Sequence, residues 1–169
     1  MRWFWIDRFT KFVRQSHATA IKNVTLAEEH LHDHFPGASM MPNTLVLEGM
    51  AQTAGLLVAD AIDYQEQVVL AKVGSATFQF DVFPGDTLQY QAEIVEMMAG
   101  GSIVRVTSRV GNRQQGEADL YFGHVAASAS VPRLFHTDGM VRWLDSLRIF
   151  DVAVNMDGSP VIRNENWQG

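Results

Sequence analysis

His34 and Glu48, fourteen positions apart, are the two side chains in this chain whose types and setting suit proton transfer. His34 opens a turn, His34-Phe35-Pro36-Gly37. An imidazole is the side chain whose ordinary pKa lies near neutrality, so it can serve as a base at pH 7. Glu48 is the one charged residue between Thr44 and Ala59, a run otherwise dominated by apolar and small residues. An ionised carboxylate in apolar surroundings is costly unless paired or neutralised, and a raised pKa would make Glu48 a proton donor. Gln52 follows four positions later, on the same face of a helix, where it can orient Glu48 or a water.

These residues need a helix to hold them. Pro42 precedes Asn43 and Thr44, both suited to a helix N-cap, and the apolar run predicts a helix over 44–61. Gly49, Ala51, Ala54, Gly55 and Ala59 are small, so other elements can wrap closely round it. The run is too short for a membrane span, which takes about 20 apolar residues. On either side the pattern predicts strands, at 18–24, 68–73, 77–83, 87–97, 102–110 and 117–127. In 77–83, Phe78, Phe80 and Val82 alternate with Gln79 and Asp81. Residues 3–6 read as a short strand or docking turn closed by Asp7-Arg8. Beyond residue 132, Met140, Trp143, Leu144 and Leu147 mark a helix within 137–148, and Asp157-Gly158 marks a terminal hairpin. The layout is α+β: an antiparallel sheet packed on one long helix.

Composition narrows the function. The chain has 169 residues, which fits one domain, and 47% hydrophobic residues, enough for a core. A net charge of −6 argues against a nucleic-acid binder. No cysteine is present, which removes disulfides and thiolate metal sites. Asp7, Arg8 and Lys11 interrupt any signal-peptide core, so the expected location is cytoplasmic. His30, His32 and His34 alternate and would share one face of a strand, a possible metal set; the Pro36-Gly37 bend makes solvated loop histidines the favoured reading for His30 and His32.

His34-Phe35-Pro36-Gly37, then Met41-Pro42, then Leu47-Glu48-Gly49-Met50-Ala51-Gln52, in that order and spacing, resembles the signature of the hotdog-fold 3-hydroxyacyl-[acyl-carrier-protein] dehydratases. Phe83-Pro84-Gly85-Asp86 resembles the family's turn, Trp5-Ile6-Asp7-Arg8 its opening segment, and Lys22-Asn23-Val24 its first core strand. The likeness runs over roughly residues 3 to 128. Two features depart from it. Asn43 stands where the family has Gly, and a C-terminal extension follows. The expected layout is therefore a hotdog domain at 1–131, its sheet wrapped round the central helix, with a helix/hairpin extension at 132–169 packed on it.

The resemblance implies dehydration of a 3-hydroxyacyl carrier thioester to the trans-2-enoyl product, with Glu in place of Asp as in the branch that does not isomerise the double bond. His34 would take the C2 proton and Glu48 would protonate the leaving hydroxyl. The main-chain N–H at Asn43 would steady charge on the thioester oxygen, and Gln52 would support the pair. Phe78, Phe80 and Phe83 would line an acyl tunnel. No metal or organic cofactor is implied, the substrate arriving on the phosphopantetheine of an acyl carrier. The family shares each site across a homodimer or a higher assembly of dimers, and neither nucleic acid nor membrane is a partner. Arg105 and Arg109 form a basic stripe that could dock an acidic carrier, or merely face solvent. Two rivals remain: a hotdog thioester hydrolase using Glu48 to activate water, and a non-catalytic acyl-binding hotdog protein.

Overall fold

The computed structural model describes residues 4–33, 36–126 and 137–161, with backbone alone for Asp33 and 137–141. The elements, in chain order, are β1 (Arg8–Val13), β2 (His17–Asn23), α1 (His30–Asp33), α2 (Asn43–Ala61), β3 (Gln67–Phe78), β4 (Thr87–Met98), β5 (Gly101–Val110), β6 (Arg113–Val125), α3 (Thr137–Ser146), α4 (Ile149–Val152) and β7 (Ala153–Val154). The strands form one sheet in the order β3-β6-β5-β4-β2-β1-β7. Every neighbouring pair is antiparallel except β1–β7, which is parallel. The sheet curls round α2, which touches β2 through β6.

Small residues allow that close wrapping. A Cβ on Gly49 would lie 2.5 Å from the ring and hydroxyl of Tyr90 on β4, so only glycine lets α2 settle there. Val46, Met50, Ala54, Leu57 and Val58 of α2 meet Phe9, Phe12, Leu88, Val104, Val106 and Leu120 in one core. Along the other side of α2, residues Leu45, Glu48, Gln52 and Gly55 recur at helical spacing and are only partly covered or exposed.

The sheet departs from simple alternation at bulges. On β1, Phe9 pairs with Ala20 and Lys11 with Thr19, leaving Thr10 as an extra residue. Phe9 and Phe12 therefore both point inward and are fully buried, although three apart. Of the strand or docking turn expected at 3–6, the described residues 4–6 form no strand and Trp5 docks on α2 through its main-chain N–H, while the strand, β1, starts just after; Trp3 lies outside the described residues. The strand expected at 68–73 is longer, β3, and takes in only Thr77 and Phe78 of the strand expected at 77–83; Ala71 and Gly74 are extra residues that let it stay paired with β6 over its length. After Phe78 the chain leaves the ladder, and Met41 N–H donates to Val82 O at 2.8 Å. β6 begins at Arg113 rather than Glu117, directly after the Gly111-Asn112 turn.

The described part of the C-terminal extension belongs to the same core. Leu144, Leu147 and Ile149 are buried. The main chain of Phe9 donates to Leu147 O at 2.9 Å, and Arg14 N donates to Val154 O at 2.9 Å. The turn expected at Asp157-Gly158 is present: Asn155 N donates to Ser159 O at 2.8 Å, and β7 extends the sheet beside β1. The boundary at 131–132, the Met140 side chain and the end of the hairpin after Val161 lie outside the described residues. No helix among the described residues is long and apolar enough to cross a membrane.

Candidate active site

Glu48 sits between the first and second turns of α2, five residues and about 7.5 Å along the axis from Asn43. Gln52 Nε2 donates to Glu48 Oε1 at 2.9 Å. The oxygen of the same carboxamide accepts the main-chain N–H of Trp5, also at 2.9 Å. Gln52 is thereby fixed at both ends: the N-terminal segment sets which way its amide faces, and its nitrogen faces the carboxylate. The sequence assigned Gln52 to Glu48 by spacing; the Trp5 tether carried no sequence signal, since a main-chain donor has none. The apolar enclosure expected round Glu48 is absent in the single chain, where the residue is exposed. It lies on the uncovered stripe of α2, because the sheet wraps only the opposite side.

His34 and Phe35 lie outside the described residues. The residues before them are tied to the same frame. Leu31 of α1 is buried in the core, and the His30 ring meets Trp5 edge-on, with centroids 4.9 Å apart. The chain up to Asp33 and the tether on Gln52 thus converge on Trp5. His30 and His32 are on a helical turn, not a strand, so the alternating face imagined for three histidines does not form. Gly37 adopts a left-handed φ of 88°, which the Pro36-Gly37 turn requires.

At the start of α2, Pro42 is the N-cap and no side chain caps the helix; Asn43 is already helical. The expectation of an Asn or Thr cap is corrected here. Proline can open a helix because its missing N–H is not needed there. Leu45 and Val46 N–H both return to Pro42 O, at 2.9 and 3.1 Å. Among the described residues, the N–H groups of Asn43 and Thr44 take no hydrogen bond, and the positive end of the helix dipole adds to them.

Asn43 is instead held from below. Its Oδ1 accepts from Gln115 Nε2 at 3.3 Å. Gln115 is fully buried; its nitrogen also donates to Phe80 O at 2.9 Å, and its Oε1 accepts from Ser108 Oγ at 2.7 Å. Sequence reading missed this trio. Gln115 is the extra residue of a bulge, since Ser108 pairs with Gly116 and Arg109 with Gln114. Two adjacent residues, Gln115 and Gly116, therefore face inward, against any period-two pattern.

Of the three aromatic residues assigned to an acyl tunnel, Phe78 packs against the core and beside Gly116. Phe80 lies under the Arg113 guanidinium, 4.1 Å from its carbon. Phe83 is 49% exposed, and its neighbour Val82 takes the buried place. Arg105 and Arg109 both have partners within the chain. Arg105 pairs with Asp119 at 2.9 Å and Arg109 donates to Asn112 O at 2.6 Å, on a face that also carries Glu93 and Glu117.

Lys22, Asn23 and Asp7 brace the frame. Asp7 Oδ2 accepts from Asn23 N at 2.7 Å, Asn23 Oδ1 accepts from Thr87 at 2.8 Å, and the nearly buried Lys22 ammonium meets Glu28 at 2.8 Å. These contacts tie the segment before β1 to β2 and β4, and so anchor Trp5.

Comparison with known proteins gives the family. A model of the FabA-like domain matches residues 3–115. A 3-hydroxyacyl-[acyl-carrier-protein] dehydratase FabZ of Levilactobacillus brevis is 34% identical over 127 residues, covering 75% of this chain and 86% of that protein. The FabZ of Symbiobacterium thermophilum is 33% identical, covering 75% of this chain and 90% of that one. Among solved structures, smu.793 from Streptococcus mutans bound to acetyl CoA superposes with a TM-score of 0.60 at 16% identity, over 75% of this chain and 94% of that one. The dehydratase heterocomplex ApeI:P from Xenorhabdus doucetiae gives 0.53 at 15%, over 64% and 88%. At those identities the structural matches speak for the fold alone. With the helix that carries Leu47 to Gln52 and the sheet wrapped round it in agreement, the chain belongs to the FabA-like family of hotdog-fold 3-hydroxyacyl-[acyl-carrier-protein] dehydratases.

Proposed function

We propose that this chain dehydrates a 3-hydroxyacyl-acyl-carrier-protein thioester to the trans-2-enoyl thioester in fatty-acid or related acyl-chain biosynthesis. The observation that carries the reading is the Glu48–Gln52 pair, oriented by Trp5 and placed just beyond the open helix start at Asn43. His34 takes the C2 proton while the N–H groups at Asn43 and Thr44 stabilise the charge that moves to the thioester oxygen. Glu48 gives a proton to the C3 hydroxyl, the C3–O bond breaks and water leaves. The proton on His34 then restores Glu48 by way of solvent. This chemistry asks for no metal or organic cofactor; the phosphopantetheine arm enters with the substrate. Phe78 and Phe80 offer apolar surface for the acyl chain.

We further propose a homodimer that covers the exposed stripe of α2 and the free edge of β3. Enclosure there would supply the apolar setting that Glu48 lacks in one chain.

An ultraviolet hydration–dehydration assay with crotonyl and 3-hydroxyacyl thioesters tests the reading. Conversion by the wild type, lost in His34→Ala and Glu48→Gln, supports it. Release of free thiol from the thioester would favour hydrolysis instead, and turnover of no thioester would favour acyl binding alone.

A further inference from the structure

Gln115 is a buried carboxamide at a bulge, with all its polar atoms spent on three partners. A bulge is a device for aiming a side chain where regular alternation would not send it. Here it aims Gln115 at the first residue of α2. Ser108 Oγ donates to Gln115 Oε1, which fixes the carboxamide so that its NH₂ faces Asn43 and the Phe80 carbonyl. The next link follows from the same donor count. With Asn43 Oδ1 occupied as an acceptor, the Nδ2 group of Asn43 must face the other way. That NH₂ takes no hydrogen bond among the described residues, and Asn43 is only partly covered.

We propose that Gln115 is a positioning residue for the dehydration reaction: with Ser108, it turns the Asn43 carboxamide so that its Nδ2–H joins the main-chain N–H donors at the helix start in binding the thioester oxygen. The bond from Gln115 to Phe80 O serves the same end, because it holds the segment after β3 against α2 at the mouth of the site. Main-chain donors alone need no side chain at position 43. The buried Ser108–Gln115 pair gives the asparagine there a defined orientation, and so a use. This inference rests on the dehydratase reading above.

The test compares Gln115→Ala, Asn43→Ala and the double variant with wild type, using a 3-hydroxyacyl thioester. The expected result is a fall in kcat of about 10²-fold in Asn43→Ala, which deletes the donor, and a smaller fall of about tenfold in Gln115→Ala, which only releases it, with KM little changed. The double variant is expected to be no slower than Asn43→Ala alone, since Gln115 then has no carboxamide left to orient. Ser108→Ala, which frees Gln115 to flip, should fall in the same direction and serves as the deciding variant if Gln115→Ala does not fold. An independent readout is the side-chain amide pair of Asn43 in ¹⁵N spectra of protein labelled at asparagine, which should shift in Gln115→Ala whether or not the enzyme turns over. Unchanged kcat in Gln115→Ala, multiplicative losses in the double variant, or Asn43 amide signals that do not move would overturn the proposal. A wild type that turns over no hydroxyacyl thioester defeats the dehydratase reading instead, and the amide signals then decide the positioning of Asn43 on their own.

Discussion

Glu48→Gln removes one proton and little else. The new carbonyl still accepts from Gln52 Nε2, and the side chain is exposed in the single chain, so no packing is lost. General acid catalysis by a placed carboxyl contributes typically 10²–10⁴-fold, and a loss of at least about 100-fold in kcat is expected with an unchanged melting temperature. Gln52→Ala should act differently. It frees the Glu48 carboxylate and leaves the Trp5 N–H without its acceptor, so both activity and stability should fall. A Glu48→Gln enzyme that keeps most of its rate would remove the acid from the scheme. His34 is proposed on the sequence pattern alone; for Glu48 the bond from Gln52 adds a fixed orientation.

At the scale of elements, α2 was legible and the strands that bend were not. The apolar run from Thr44 gave the helix within one residue of its start, because sixteen residues of one character outweigh any local ambiguity. The alternation of β5, with Val104 and Val106 inward and Arg105 outward, was equally plain. What the sequence hid lies at bulges: Phe9 and Phe12 on β1, Ala71 and Gly74 on β3, Gln115 and Gly116 on β6. An extra residue breaks the period-two pattern by which strands are read, and it did so at the residue that holds the helix start.

Two predictions belong to α2 as an element. Gly→Ala within a helix ordinarily stabilises, by about 0.5–1 kcal/mol. At Gly49 the new methyl would meet the Tyr90 ring at 2.5 Å in a fully buried place, and overpacking costs about 1–3 kcal/mol. Gly49→Ala should therefore lower stability in denaturant titrations; a rise would mean that β4 can move away freely. At the far end of α2, the Asp60 carboxyl is pushed above its usual pKa by burial, only partly offset by Arg14 at 2.9 Å. Its folded pKa thus exceeds the unfolded value of about 3.9, so the folded state holds this proton longer. As pH rises from about 3.9 through the folded value, the contribution of Asp60 to stability falls. Asp60→Asn has no such proton, so its melting temperature relative to wild type should climb across that window. A difference that stays flat or declines would show that Arg14 outweighs burial.

For the whole molecule, the two edges of the sheet are treated differently. One edge is closed by the C-terminal extension: β7 lies beside β1, and Trp143 of α3 packs against Phe4 with the rings tilted and their centroids 5.6 Å apart, next to the Trp5 that holds Gln52. The other edge, β3, runs for twelve residues with pairing on one side only. A long strand edge with exposed apolar side chains is an invitation to pair, and monomeric proteins blunt such edges with charge or proline. β3 carries Val69, Leu70 and Val73, each 38–39% exposed, and Lys72 as its one charge. In the proposed homodimer, the edge that would recruit a second copy and the carboxylate that would need its cover would belong to one assembly. Val73→Lys together with Leu70→Lys should convert the dimer into an 18.9 kDa monomer in sedimentation experiments. Activity should fall in step with the dimer fraction as protein is diluted, while Glu48→Gln should lose activity and remain dimeric. A wild-type chain that sediments as a monomer at micromolar concentration with full turnover would separate the edge from the site and leave Glu48 to work in the open.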